Sequence, residues 1–262
     1  MHGATEKTGK KIYFASDFHL GIPDHDSSLK RERMLVAWLG AIEYDALEIY
    51  LMGDIFDFWF EYKTVVPKGF VRLLGKIAHL TESGIPVHLF TGNHDIWAFS
   101  YLEKELDINI HRHPEIKVLM GKQFYLAHGD GLGPGDKGYK LLKKVFSNRF
   151  NQWLFRWLHP DIGAAMALYF SRKSRLANVL RENKPDFVNR LEDMMLYQYA
   201  EHLVSKGSHP DYFVFGHQHS PTDVVLSNGS RLVILGDWLT NFTYAEFDGK
   251  ELILKRLENK IL

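Results

Sequence analysis

Ile12-Tyr13-Phe14-Ala15-Ser16-Asp17-Phe18-His19-Leu20-Gly21 opens the chain with an arrangement that recurs down its length: a short apolar run that stops at residues able to do chemistry. Ile49-Tyr50-Leu51-Met52 leads into Gly53-Asp54-Ile55-Phe56-Asp57, and Val87-His88-Leu89-Phe90 into Gly92-Asn93-His94-Asp95. Phe124-Tyr125-Leu126-Ala127 precedes His128-Gly129-Asp130, and Tyr212-Phe213-Val214-Phe215 precedes Gly216-His217-Gln218-His219. Runs this short, rich in aromatic and branched residues and ended by glycine, read as buried strands. The polar groups then sit at strand ends, where loops can converge on one pocket.

Between the first strands the period changes. Met34, Leu35, Trp38, Leu39 and Ile42 share one helical face, as do Phe70, Leu73, Leu74 and Ile77. Alternating strand and helix predicts layered α/β architecture. Later turns at Gly121-Lys122, Asn228-Gly229 and Asp248-Gly249 suit hairpins, so the sheet should be mixed or paired with a second one. The segment from about 136 to 207 shows no strand pattern and separates His128 from His217; it reads as a helical insertion capping the site, within one domain spanning 1–262.

Thirty-two basic residues balance thirty-two acidic ones, which argues against a nucleic-acid partner. The absence of cysteine excludes disulfides, thiolate metal sites and a cysteine nucleophile. No apolar run reaches the roughly 18 residues of a membrane span, and the polar start lacks a secretory core, so a cytoplasmic location is expected.

The five segments supply carboxylate, amide and imidazole donors of the kinds that hold two divalent cations. Asp54 is the expected bridge, following a strand and a glycine that permits a sharp turn. Asp17 and His19, two apart on an extended segment, point the same way, and His219 completes their site; Asn93, His128 and His217 serve the other. Mixed oxygen and nitrogen donors suit manganese, iron or zinc over magnesium or calcium, and manganese is the leading expectation. His94 is the expected proton donor to the departing oxygen, oriented by Asp95, while Asp57 supports the ligands from behind. A water activated by the metals is the expected nucleophile. The Asp24-His25-Asp26 cluster follows Pro23 and reads as a solvated helix start. Gly129 to Gly138 lacks the ending of a nucleotide-binding loop and reads as a rim.

Together, the five motifs resemble the calcineurin-like metallophosphoesterase superfamily over residues 12 to about 240. The resemblance implies a two-sheet sandwich flanked by helices, with Asp17, His19, Asp54 and His219 on one metal and Asp54, Asn93, His128 and His217 on the other. Ser16-Asp17-Phe18-His19-Leu20-Gly21, Gly53-Asp54-Ile55-Phe56-Asp57-Phe58-Trp59, Leu235-Gly236-Asp237-Trp238 and the insertion are similar to a narrower branch. That branch cleaves the pyrophosphate of UDP-2,3-diacylglucosamine, a lipid-linked nucleotide sugar of lipid A synthesis, to UMP and 2,3-diacylglucosamine 1-phosphate. It implies substrate contacts from Asn93, Ser171, Arg172, Lys173, Ser174 and Arg175, and an acyl groove or bilayer contact from Phe146, Phe150, Trp153, Phe155 and Trp157. Peripheral contact with the cytoplasmic face of the inner membrane would follow, with no obligate protein partner. His94 departs from the branch, which carries arginine there, and matches the wider superfamily. With the basic clusters Lys137 to Lys144 and Arg172 to Arg181, it motivates the alternative of a phosphodiesterase, phosphatase or nuclease acting on a water-soluble substrate.

Overall fold

In the computed structural model, residues 9–134, 137–182 and 190–257 are described, and side chains of the helix over 160–182 as far as Lys173. Each apolar run forms a strand: β1 (Lys11–Ala15), β2 (Ala46–Leu51) and β3 (Val87–Phe90) lie side by side in parallel, followed by β4 (Asn109–His111). After the hairpin partner β5 (Glu115–Leu119), β6 (Lys122–Ala127) and β7 (Tyr212–Phe215) run parallel in a second sheet. β8 (Thr222–Val225) and β9 (Arg231–Ile234) complete that sheet, in the order β5-β6-β7-β9-β8. The chain then returns to the first sheet through β10 (Thr243–Phe247) and β11 (Leu252–Arg256), giving β11-β10-β1-β2-β3-β4. Both sheets are mixed, and the architecture is a two-sheet α/β sandwich.

Three apolar layers hold it together. Between the sheets, Phe14, Tyr50, Phe124, Val214 and Phe247 interdigitate, with Phe14 and Phe124 stacked 5.7 Å apart. The outer face of the first sheet packs on α1 (His25–Ile42) and α2 (Val71–Glu82) through Leu35, Trp38, Leu39, Leu73 and Ile77, on the faces that the helical spacing marks. Asp24 caps α1 by accepting the Ser27 amide at 2.9 Å, while His25 and Asp26 point into solvent. The short α3 (Tyr101–Leu106) adds Leu102 and Leu106 to this layer.

On the far side of the second sheet, α7 (Met195–Ser205) buries Leu196, Ala200 and Val204 against Phe213 and Phe215. This end of the 136–207 segment is therefore a wall of the sandwich. The part that stands over the strand ends is α4 (Lys137–Ser147), α5 (Arg149–Phe155) and α6 (Pro160–Glu182). Its anchor is aromatic: Phe146 and Phe155 pack with Phe58, Phe60 and Trp97. Phe150, Trp153 and Trp157 face outward, so the five aromatic residues divide between core and surface.

Candidate metal centre

All the motif loops leave the same end of the two sheets. β1, β2 and β3 deliver Asp17, Asp54 and Asn93 from the first sheet; β6 and β7 deliver His128 and His217 from the second. Backbone bonds knit the loops together, Asp17 donating its amide to the Gly53 carbonyl at 3.0 Å and His19 to the Asp54 carbonyl at 3.0 Å. Asp17, His19, Asp54 and His217 all adopt positive φ, between 45° and 64°. Side chains seldom tolerate that region, at roughly 1–3 kcal/mol per residue, and such strain concentrates at functional sites. Gly53 (φ 95°) has the His128 ring and the Gly92 amide where a Cβ would lie, and Gly216 is pressed against Ser16 and Asp17 in the same way. No other residue allows the loops to close so far.

Three groups of donors result, each with ligand atoms within 4.8 Å of one another: Asp17, His19 and His219; Asp54, His128 and His217; and His19, Asp54 and His94. His219 Nε2 stands 3.3 Å from Asp17 Oδ1 and 3.1 Å from His19 Nε2. Two imidazole lone pairs that close repel unless a proton or cation lies between them. His128 Nε2 stands 3.4 Å from Asp54 Oδ2, and His19 Nε2 is 3.9 Å from the same oxygen, so Asp54 reaches both groups. Asp17 Oδ1, Asn93 Oδ1 and His128 Nε2 are buried without a hydrogen-bond partner. Unsatisfied buried polar atoms are costly, and three of them on the expected ligands fit a pair of divalent cations.

Burial alone would raise the Asp54 and Asp17 carboxyls, yet both are held far below the usual range. His128, His94 and His19 do this for Asp54; His19 and His219 do it for Asp17. Burial pushes His19 down to about 4, neutral as a metal ligand must be. Burial opposes a charge on His128 too, but Asp54, Asp17 and Asp130 outweigh it and push that imidazole up to about 10.

The supporting roles fall differently from the sequence expectation. Asp95 does not touch the His94 ring: its carboxylate accepts the Gly92 amide at 2.7 Å and the Ile55 amide at 2.8 Å, splicing two ligand loops. Its carboxyl is pushed up to about 6 by burial and by Asp54. Asp57 orients His94, its backbone carbonyl accepting from Nδ1 at 2.8 Å. The Asp57 carboxylate lies 3.6 Å from that nitrogen and 3.4 Å from His19 Nδ1. Ser171 is buried and donates to Asp57 at 2.9 Å, whereas Arg172 and Lys173 are exposed. The side chains of Ser174, Arg175, Arg181 and Lys137 lie outside the described residues.

One residue escaped the sequence reading. Arg31, buried on α1, donates to the carbonyls of Phe18, His19 and Ile22 at 2.6–2.8 Å and clamps the first ligand loop. A signal existed: Arg31 stands four residues before Leu35 on the apolar face of that helix.

A sandwich whose two sheets bring buried carboxylates and imidazoles into one cluster has the donor chemistry of a metal-dependent phosphoesterase. A family model for calcineurin-like phosphoesterases matches residues 10–221. The chain is 40% identical to the UDP-2,3-diacylglucosamine hydrolase of Porphyromonas gingivalis, over 95% of this chain and 98% of that one. Proteins of the same name from Pseudomonas fluorescens and Shewanella baltica are each 25% identical, covering 87% of this chain and 87% and 89% of theirs. The chain belongs to the calcineurin-like phosphoesterase family and is a metal-dependent hydrolase.

Proposed function

We propose that the protein hydrolyses the pyrophosphate of UDP-2,3-diacylglucosamine, releasing UMP and 2,3-diacylglucosamine 1-phosphate. The observation that carries this reading is the likeness to the Porphyromonas gingivalis hydrolase along nearly the whole of both chains. Asp17, His19, Asp54 and His219 would hold one cation, and Asp54, Asn93, His128 and His217 the other; the mixed oxygen and nitrogen donors fit manganese, iron or zinc, of which manganese is the ion taken for the tests below. Cations bound there would neutralise the phosphate oxygens and acidify a water.

His94 contributes the proton. With Nδ1 donating to Asp57, its Nε2 is free to face the departing oxygen, and its side chain remains 19% exposed at the edge of the buried cluster. His94 also lies within ligand reach of His19 and Asp54, and its substitution by alanine separates the roles: a donor leaves the metals in place, a ligand does not.

A cleft of about 780 Å³ beside the centre is lined by Leu20, Leu29, Phe58, Val66, Phe70 and Leu168. Leu20 adjoins the ligand His19, and apolar side chains form most of the walls, as acyl chains require, with Glu32, Lys68, Arg72 and Asp161 also lining the cleft. On this reading the acyl groove lies between α1, the 66–71 segment and α6, while the rings of Trp153 and Trp157, with exposed Lys144 and Arg149, suit a bilayer surface. No helix among the described residues is long and apolar enough to cross a membrane.

Assay of manganese-loaded protein for UMP release from UDP-2,3-diacylglucosamine, beside a simple aryl phosphodiester, tests the reading. Strong preference for the lipid is expected. Preference for the aryl ester or another soluble phosphodiester would overturn the lipid assignment and leave the hydrolase class intact.

A further inference from the structure

Among the described side chains of α6, the inner face carries one polar residue beyond its apolar packing, Ser171. Ala164, Ala167 and Leu168 pack into the aromatic cluster of Phe58, Phe60 and Trp97, and Ser171 continues that stripe one turn on, 8% exposed. The opposite face, with Ile162, Met166, Tyr169 and Phe170, is open to solvent. Alanine at position 171 would suit a helix better and bring no hydroxyl to desolvate. The hydroxyl has a use: it donates to Asp57 Oδ2 at 2.9 Å across 114 residues of sequence.

Asp57 has two further tasks. Its carboxylate faces Nδ1 of His19 at 3.4 Å and Nδ1 of His94 at 3.6 Å, while its backbone carbonyl accepts from the latter. A carboxylate behind a ligand imidazole fixes the ring's tautomer and raises its basicity, and partners of that kind influence metal affinity about 10- to 100-fold. Ser171 thus holds the carboxylate that stands behind both a ligand and the proton donor.

We infer that Ser171 is a positioning residue, through which the seating of α6 on the sandwich sets the Asp57 carboxylate and, through it, His19 and His94. Docking of the insertion and assembly of the reactive centre become one event: a helix lifted from its bed withdraws the hydroxyl. The inference rests on the metal-centre reading above, and not on the identity of the substrate.

The test uses the full chain carrying Ser171→Ala or Ser171→Thr, with manganese titration and turnover of both bis(4-nitrophenyl) phosphate and UDP-2,3-diacylglucosamine. Ser171→Ala is expected to lower kcat on both substrates by about 10-fold or more with KM nearly constant, and to weaken manganese binding, with threonine restoring both. The same fall on the aryl ester alone, with no lipid turnover even in the parent chain, supports the inference and sinks only the lipid reading. A raised KM confined to the lipid, with aryl-ester kcat and manganese affinity unchanged, makes Ser171 a substrate contact and overturns it. Equal losses in both variants accompanied by a lower Tm make it a fold support and overturn it as well. The manganese titration decides without any turnover.

Discussion

His128 donates its Nδ1 proton to the Met52 carbonyl at 2.7 Å and so turns Nε2 toward the Asp54 carboxylate at 3.4 Å. The bond fixes which nitrogen faces the centre, and the main chain of the neighbouring strand end supplies it. In the cation-free chain the same closeness to Asp54 keeps a second proton on His128, raised from 6.5 to about 10.

That proton must leave before a cation binds, because only neutral imidazole is a ligand. Metal affinity should rise with pH up to about 10, by at most about tenfold per pH unit for one proton, with proton release visible by calorimetry in buffers of differing ionisation heat. The sign for folding is the reverse. A folded value above the unfolded 6.5 gives the cation-free chain a stabilising contribution that is full below 6.5 and lost as pH rises through about 10. Uptake independent of pH near neutrality would contradict the assignment.

Asp95 predicts a stability phenotype. Asp95→Ala leaves the Gly92 and Ile55 amides buried without their acceptor and should destabilise the chain by about 2–5 kcal/mol in urea unfolding. Asp95→Asn keeps one acceptor oxygen and should lose less. A change under about 0.5 kcal/mol for alanine would mean that the loops are spliced elsewhere.

Filling the cleft should separate lipid from soluble substrates. Leu29→Trp, on the cleft wall and outside the packing of α6, is expected to raise KM for the diacylated substrate while leaving aryl-ester turnover near the parent value. Each methylene excluded removes ~0.8 kcal/mol, so the defect should grow with acyl length. A defect of the same size for every chain length would place the acyl groups elsewhere.

The exposed rings predict a surface phenotype. Replacing Trp153 and Trp157, 51% and 76% exposed, by serine should abolish co-sedimentation with anionic vesicles. Stability should move by less than about 0.5 kcal/mol, as is usual for surface sites. Undiminished vesicle binding would remove these rings from any bilayer contact.

What could be read in the residues, and what could not, divides along physical lines. β1, β2, β3, β6 and β7 were legible because each is buried on both faces and stops at a glycine-flanked polar loop. α1 and α2 were legible from apolar residues at helical spacing. β4 was not, being three residues at a sheet edge with only partial burial. The metal-ligand types stand out in sequence because their chemistry is rare at strand ends. Partnership is another matter: that Asp57 and not Asp95 holds His94 depends on loop geometry that spacing does not encode. Phe155 and Trp157 are neighbours of similar character, and only the fold sends one into the aromatic cluster and the other into solvent. Ser171 was grouped with the charged residues that follow it, although only burial reveals its tie to Asp57.

The central claim is that Asp54 is shared by two cations, and elemental analysis of manganese-reconstituted protein tests it most directly. About two manganese ions per chain are expected in the parent, nearly two in His94→Ala, and loss of both in Asp54→Ala. One ion or none in the parent, or full occupancy in Asp54→Ala, would contradict the account.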